Sequence, residues 1–263
     1  MEKAKAKGLD LLGNGCTFSE FGTRRRRDYK TMTLVMQGLK NAAEEGRTHE
    51  LPGKLSGTSN VHFAMQYGIP PVGTVAHEWF MGIASITGDY QDANATALRY
   101  WVGTFGEGVL GVALTDTFGT PSFLKAFRQT MPTLEEAKKD RVETAIPIAT
   151  DGSSALDSQP HGSVGEAVSG PGLDEKTAPS FAQIFTGVRQ DSGDPLEFIR
   201  LMKQFYEEVG IKEKKTIVFS DSLNVEKCVQ YKQATEEAGF QPTFGIGTFL
   251  TSKYSDLPTV VLR

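Results

Sequence analysis

Seven short β-rich runs alternate with longer helical stretches along this 263-residue sequence, at residues 15–20, 54–58, 72–76, 110–115, 184–189, 216–220 and 243–246. Repeated strand–helix alternation of this kind demands a parallel sheet, open or closed into a barrel, because each crossover needs a helix to return the chain. Residues 28–45 place Met32, Val35, Met36, Leu39 and Ala43 at helical spacing, with Gly46 as a stop. Residues 195–209 open with Asp194-Pro195, a capping residue followed by proline at the first helical position, and close at Gly210. A third helix is expected over 223–238, after Ser222 and before Gly239. The length suits one α/β barrel or two smaller domains.

One segment departs from the rhythm. Residues 151–180 hold six Ser, five Gly and three Pro with no aromatic residue, which reads as a flexible insertion within one domain, spanning 129–182 with its flanks. Residues 131–145 carry Leu134, Ala137 and Val142 on one side of a short charged helix. Residues 1–14 read as the tail of a helix with nothing before it to pack against, and residues 257–263 as the start of a strand.

Composition removes several classes. Twenty-eight Lys+Arg against 32 Asp+Glu give a net charge of −4, so no nucleic-acid partner drawn by bulk positive charge is expected. Two cysteines, Cys16 and Cys228, exclude a disulfide scaffold and a structural zinc site. No apolar run approaches the roughly 18–20 residues of a membrane span, and the N-terminus has no signal-peptide stretch. No membrane partner is expected, and a soluble protein of a reducing compartment is.

The polar residues fall in a pattern. At the carboxyl end of each run sits a cluster, in order Glu20-Phe21-Gly22-Thr23-Arg24-Arg25, Gly57-Thr58-Ser59-Asn60, His77-Glu78 and Asp116-Thr117. Then come Arg189-Gln190-Asp191-Ser192-Gly193-Asp194, Ser220-Asp221-Ser222 and Gly245-Ile246-Gly247-Thr248. Parallel α/β proteins gather ligands at that end, so clusters remote in sequence would converge on one face.

Each cluster also has a plainer reading. Residues 24–27, four arginines, serve either as a solvated face or as an anion site. Ser59 could be a helix cap, His77 a capping or structural residue near a helix start, and Asp194 the cap of the helix at Pro195. Asp191 resists that treatment, since Asp194 already supplies the cap; beside arginine it points to a ligand hydroxyl or a hydrated magnesium ion. Gly245 and Gly247 would let backbone N–H groups approach a phosphate. Together these residue types predict a sugar-phosphate ligand.

The same motifs, with Gly73-Thr74-Val75-Ala76-His77-Glu78-Trp79, Leu114-Thr115-Asp116-Thr117-Phe118 and Phe219-Ser220-Asp221-Ser222-Leu223-Asn224, run colinearly from about residue 8 to residue 250. In that order they resemble nicotinate phosphoribosyltransferase, and its fungal branch most. The resemblance implies an irregular parallel α/β barrel over residues 8–263, of the type II phosphoribosyltransferase kind and incomplete at both ends. It implies union of nicotinate with phosphoribosyl pyrophosphate to give nicotinate mononucleotide and pyrophosphate, coupled to ATP hydrolysis and dependent on Mg2+. This is the first step of NAD salvage from nicotinate. Phe21 would pack on the pyridine ring and Arg24 would meet nicotinate or the reacting phosphates. Arg189 and Asp191 would hold the ring and ribose region, with Asp191 reaching magnesium through water. Ser220, Asp221, Gly245, Gly247 and Thr248 would cradle the ribose 5′-phosphate, and His77 would be transiently phosphorylated by ATP. Thr58 and Ser59, as hydroxyl donors, favour the carboxylate of nicotinate over the amide of nicotinamide.

A homodimer in the cytoplasm, and also the nucleus, completes the family expectation. The family's N-terminal domain is missing from this pattern, and the segment after Thr248 is short. The chain therefore reads as a fragment. The alternative is a truncated, non-catalytic chain that binds phosphoribosyl compounds or pairs with a full-length subunit; a third reading keeps the barrel but takes nicotinamide or quinolinate.

Overall fold

The structure, a computed structural model, describes residues 1–131 and 178–251. Residues 1–129 and 180–251 belong to one compact unit; a second, residues 130–179, lies almost wholly outside the described residues. The expected insertion, the charged helix at 131–145 and the strand start at 257–263 fall in or run into that undescribed part of the chain.

Six described strands build the frame: β1 (Thr17–Glu20), β2 (Lys54–Thr58), β3 (Val112–Leu114), β4 (Gly187–Gln190), β5 (Thr216–Phe219) and β6 (Gln241–Ile246). They form one sheet in the order β2-β1-β6-β5-β4-β3, every neighbouring pair parallel. Such a sheet is covered on both faces, so its strands read as continuous apolar runs. In β5, Ile217, Val218 and Phe219 are all buried. Phe219 and Phe244 stack at 5.8 Å, while Phe127 gathers Phe123, Phe185 and Phe205 within 6.0 Å. These aromatic clusters carry much of the core burial.

The described helices are α1 (Glu2–Gly13), α2 (Tyr29–Thr48), α3 (Val61–Tyr67), α4 (His77–Thr87), α5 (Ala93–Phe105), α6 (Thr120–Phe127), α7 (Phe181–Ile184), α8 (Pro195–Glu208), α9 (Val225–Glu237) and α10 (Thr248–Thr251). Residues 1–14 do find a partner. Along α2, α1 packs with Leu11 and Leu12 buried, and Lys5 pairs with Glu45 at 2.6 Å. The first predicted helix continues past Gly46 to Thr48, because Gly46 sits buried against Leu12, where a side chain would collide. Asp194 caps α8 as expected, accepting from the Glu197 N–H at 2.9 Å. The caps of α3 and α9 are Asn60 and Asn224, not Ser59 and Ser222.

One predicted strand is absent. Residues 72–76 form none. After one bridge from Thr58 to Pro71, and a bond from the Val72 N–H to the Thr58 carbonyl at 3.0 Å, the chain leaves the sheet. It crosses the carboxyl ends of the strands, where Thr74 meets Arg189 and His77 meets Thr117 beyond β3. The run at 184–189 also divides: Ile184 closes α7, whose capping box joins Ser180 and Gln183, and the strand proper starts at Gly187. This is the expected α/β fold, with β2 and β3 at the two edges of the sheet among the described residues.

Candidate active site at the carboxyl ends of the strands

Asp191, the first residue after β4, is the hub. Its Oδ1 accepts from Arg189 Nη2 at 2.8 Å and from the Ser220 hydroxyl at 2.5 Å; its Oδ2 lies 3.1 Å from His77 Nε2. Arg189 uses every face of its guanidinium, giving Nε to Ser220 at 2.7 Å and Nη1 to Thr74 at 2.9 Å. Burial works against the charge on Asp191, yet the Arg189 cation and the bonds from Ser220, Arg189 and His77 outweigh it and hold the carboxyl below its usual range. Three segments remote in sequence, 74–77, 189–191 and Ser220, meet at one carboxylate.

His77 opens α4 and is fixed from both sides. A carboxylate can only accept, so Nε2 must carry the hydrogen aimed at Asp191; in the neutral ring Nδ1 then accepts from the Thr117 hydroxyl at 3.0 Å. A second carboxylate stands close by. Asp116 Oδ1 is 4.0 Å from His77 Nε2, while Oδ2 accepts the Ser192 hydroxyl at 2.5 Å. Its Oδ1 is buried without a hydrogen-bond partner. Gln190 donates to the Ser192 carbonyl at 2.7 Å and so steadies that turn. Thr74, Asp116, Thr117 and Ser192 belong to the site although residue-by-residue reading did not select them. For Asp116, Thr117 and Ser192 the signal was position after a strand, which is shared by too many polar residues to rank them; Thr74 lay inside an expected strand and carried no such signal.

The β1–β6 side forms a second wall. Phe21 lies over Gly245, where a Cβ would fall 2.6 Å from the ring, and its N–H bonds to the Ile246 carbonyl at 2.8 Å. Arg189 stands over the same ring, 5.9 Å from its centroid. Glu20, with no exposure, accepts the Thr58 hydroxyl at 2.7 Å and the Gly22 N–H. Burial raises its pKa, and those two donors pull it back only in part.

Several expected contacts change character. The Thr58 hydroxyl spends its hydrogen on Glu20, so of that pair Ser59, which is exposed, has the hydroxyl open to solvent. Ser220 likewise spends its hydrogen on Asp191, within the hub, and Gly245 carries the Phe21 ring where a phosphate contact was expected. In both cases a strand-end residue contacts the neighbouring strand end. Gly247, Thr248 and Asp221 remain at the rim, Asp221 accepting from Ser222 at 2.9 Å. Arg24 reaches outward to Glu78 at 3.7 Å with 83% of its side chain exposed, a surface pair of little worth to stability.

No group of three His, Cys, Asp or Glu side chains among the described residues is arranged to hold a metal directly. Asp116 and Asp191 each bring a hard carboxylate oxygen within 4.0 Å of His77 Nε2, and the Asp116 Oδ1 has no hydrogen-bond partner, the donor type that a hydrated divalent cation such as Mg2+ uses.

Cations, carboxylates and hydroxyls converge at the carboxyl ends of the strands of this parallel α/β sheet, the end at which parallel α/β proteins bind their ligands. Comparison with known proteins narrows the class. The family model described as the nicotinate phosphoribosyltransferase (NAPRTase) family matches residues 16–134 and 166–261, and the chain belongs to that family. It is 40% identical over 256 residues to nicotinate phosphoribosyltransferase of Saccharomyces cerevisiae, covering 97% of this chain and 48% of the relative. The probable nicotinate phosphoribosyltransferase of Schizosaccharomyces pombe is 41% identical over 254 residues, at 96% and 50% coverage. A solved structure of a putative nicotinate phosphoribosyltransferase from Saccharomyces cerevisiae superposes with a TM-score of 0.70 at 41% identity, over 95% of this chain and 49% of that one. The enzyme from Porphyromonas gingivalis gives 0.68 at 30% identity, over 99% and 51%. The chain thus spans about half the length of the relatives it matches.

Proposed function

We propose that this chain carries the phosphoribosyl-transfer face of a nicotinate phosphoribosyltransferase. The pyridine nitrogen of nicotinate bonds to ribose C1 of phosphoribosyl pyrophosphate, the C1–O bond to the diphosphate breaks, and its electron pair departs with pyrophosphate. Nicotinate mononucleotide results, the entry of nicotinate into NAD, with ATP hydrolysis coupled to turnover. The observation that carries this reading is the Asp191 hub, which ties His77, Arg189 and Ser220 into one unit at the strand ends.

The residues divide the work by chemistry. As the C1–O bond breaks, positive charge grows on the sugar and negative charge on the leaving group, so Asp191 serves the ribose side and Arg189 the anionic side. Phe21 supports the pyridine ring, and Ser59 presents a hydroxyl to its carboxylate, with Arg24 at the mouth. Gly247, Thr248 and Asp221 receive the 5′-phosphate region. Asp116 and, through water, Asp191 would hold Mg2+, which when bound offsets diphosphate charge. His77, with Nε2 turned to Asp191 and Nδ1 bearing the lone pair, accepts a phosphoryl group from ATP and passes it to water, so ATP cleavage drives the equilibrium.

A homodimer in the cytoplasm is the assembly and setting that go with this reading, and gel filtration tests the first. No described helix is long and apolar enough to cross a membrane. The deciding experiment follows labelled nicotinate to its mononucleotide with phosphoribosyl pyrophosphate and magnesium, with and without ATP. Product that rises with ATP, and nicotinate outcompeting nicotinamide and quinolinate, is the expected result. No product from folded chain would move it to the non-catalytic reading.

A further inference from the structure

Glu20 is an ionisable group placed where stability does not want one. The carboxylate ending β1 has no exposure, and burying an ionisable group costs folding free energy unless its partners repay it. Its partners fall into two groups. Oε1 accepts the Gly22 N–H, just after Phe21, while Oε2 accepts the Thr58 hydroxyl at 2.7 Å and the backbone carbonyl accepts the Ser59 N–H at 2.8 Å.

The hydrogens run in a fixed direction. The Asn60 N–H donates to the Thr58 hydroxyl at 3.2 Å, and Thr58 donates onward to Glu20, so both carboxylate oxygens are required as acceptors. Asn60 also donates from Nδ2 to Thr23 at 3.1 Å, joining the same two segments a second time. Space is as constrained as bonding, since a Cβ on Gly22 would stand 2.9 Å from Glu20 Oε1. Among the described residues, the side-chain hydrogen bonds of Glu20 and those of Asp191 share no partner.

We infer that Glu20 is a positioning residue for the acceptor: it fixes the Phe21–Gly22 wall and the Thr58–Asn60 wall to each other and so sets the pyridine pocket, leaving the donor side to Asp191. The ligand half of this statement rests on the nicotinate reading above. A glutamine is isosteric but offers one acceptor and one donor, so Glu20→Gln removes one of the two acceptors and forces either the Gly22 N–H or the Thr58 hydroxyl hydrogen to give up its present bond.

The test pairs amide hydrogen exchange with ligand binding on the intact chain. In Glu20→Gln, exchange at residues 21–23 and 58–60 rises at least tenfold together, while residues 216–219 of the donor side change less than twofold. Nicotinate affinity falls about tenfold, while phosphoribosyl pyrophosphate affinity stays within twofold. Thr58→Val, which keeps the charge, releases residues 58–60 but not 21–23. Unchanged exchange at both walls, exchange rising evenly across the sheet, or equal loss of both ligands would overturn the inference. A wild-type chain that binds the phosphoribosyl donor but no nicotinate would instead sink the nicotinate reading, and the exchange result would still decide whether Glu20 joins the walls.

Discussion

His77 Nε2 lies 3.1 Å from Asp191 Oδ2, a contact between the first turn of α4 and the end of β4 that closes 114 positions of sequence. It sets the imidazole tautomer, and through Oδ1 it connects that ring to Arg189 and Ser220. The remaining nitrogen, Nδ1, bears the ring's lone pair and accepts from the Thr117 hydroxyl at 3.0 Å, so the phosphoryl-acceptor role proposed for His77 requires Thr117 to release it.

His77→Ala therefore abolishes the ATP-dependent increment in nicotinate mononucleotide formation and leaves the ATP-independent rate as the residue. Asp191→Asn lowers both, since it strips the hub of its charge. Initial rates with and without ATP measure this, and an intact ATP increment in His77→Ala removes that role from the histidine.

Arg189→Lys keeps the charge but not the fork, and so forfeits at least two of the bonds to Asp191, Ser220 and Thr74. At about 1.5–3 kcal/mol for a charge-assisted bond, kcat/KM is expected to fall at least about 100-fold. Steady-state kinetics decide it; a loss under fivefold would mean the fork is unimportant.

Glu20 gives a pH signature of known sign. Its folded pKa is raised by burial, so its contribution to stability is present below the unfolded carboxyl value of about 4.3 and is lost as pH rises through the folded value. Glutamine cannot titrate. The stability of the wild type relative to Glu20→Gln should thus decline from pH 4 upward, as read by denaturant midpoints; a difference that grows with pH would contradict the assignment.

Both cysteines are sealed. Burial pushes the Cys16 thiol up to about 11 and raises Cys228 further, so neither forms thiolate at neutral pH. Iodoacetamide at pH 8 should label neither in the native protein and both in guanidinium, with mass spectrometry as the count. Rapid native labelling of Cys16 would show that the α1–β1 junction opens.

Hydrophobic periodicity and turn residues alone determined the parallel α/β class, the ranges of α2 and α8 to within a few residues, and the carboxyl-end location of the site. Those signals are local: the spacing around Met32 and Leu39, the Asp194-Pro195 start and the glycine stops act within a few residues. The missing strand at 72–76 was decided by tertiary contacts: after the single bridge at Pro71 the segment turns to Arg189 and Thr117, 115 and 40 positions away from Thr74 and His77, instead of continuing along β2. Tertiary structure also chose the use of each hydroxyl. Thr58 and Ser220 each have one hydrogen to give, and sequence cannot say that Glu20 and Asp191, 38 and 29 positions away, will take it before any ligand does.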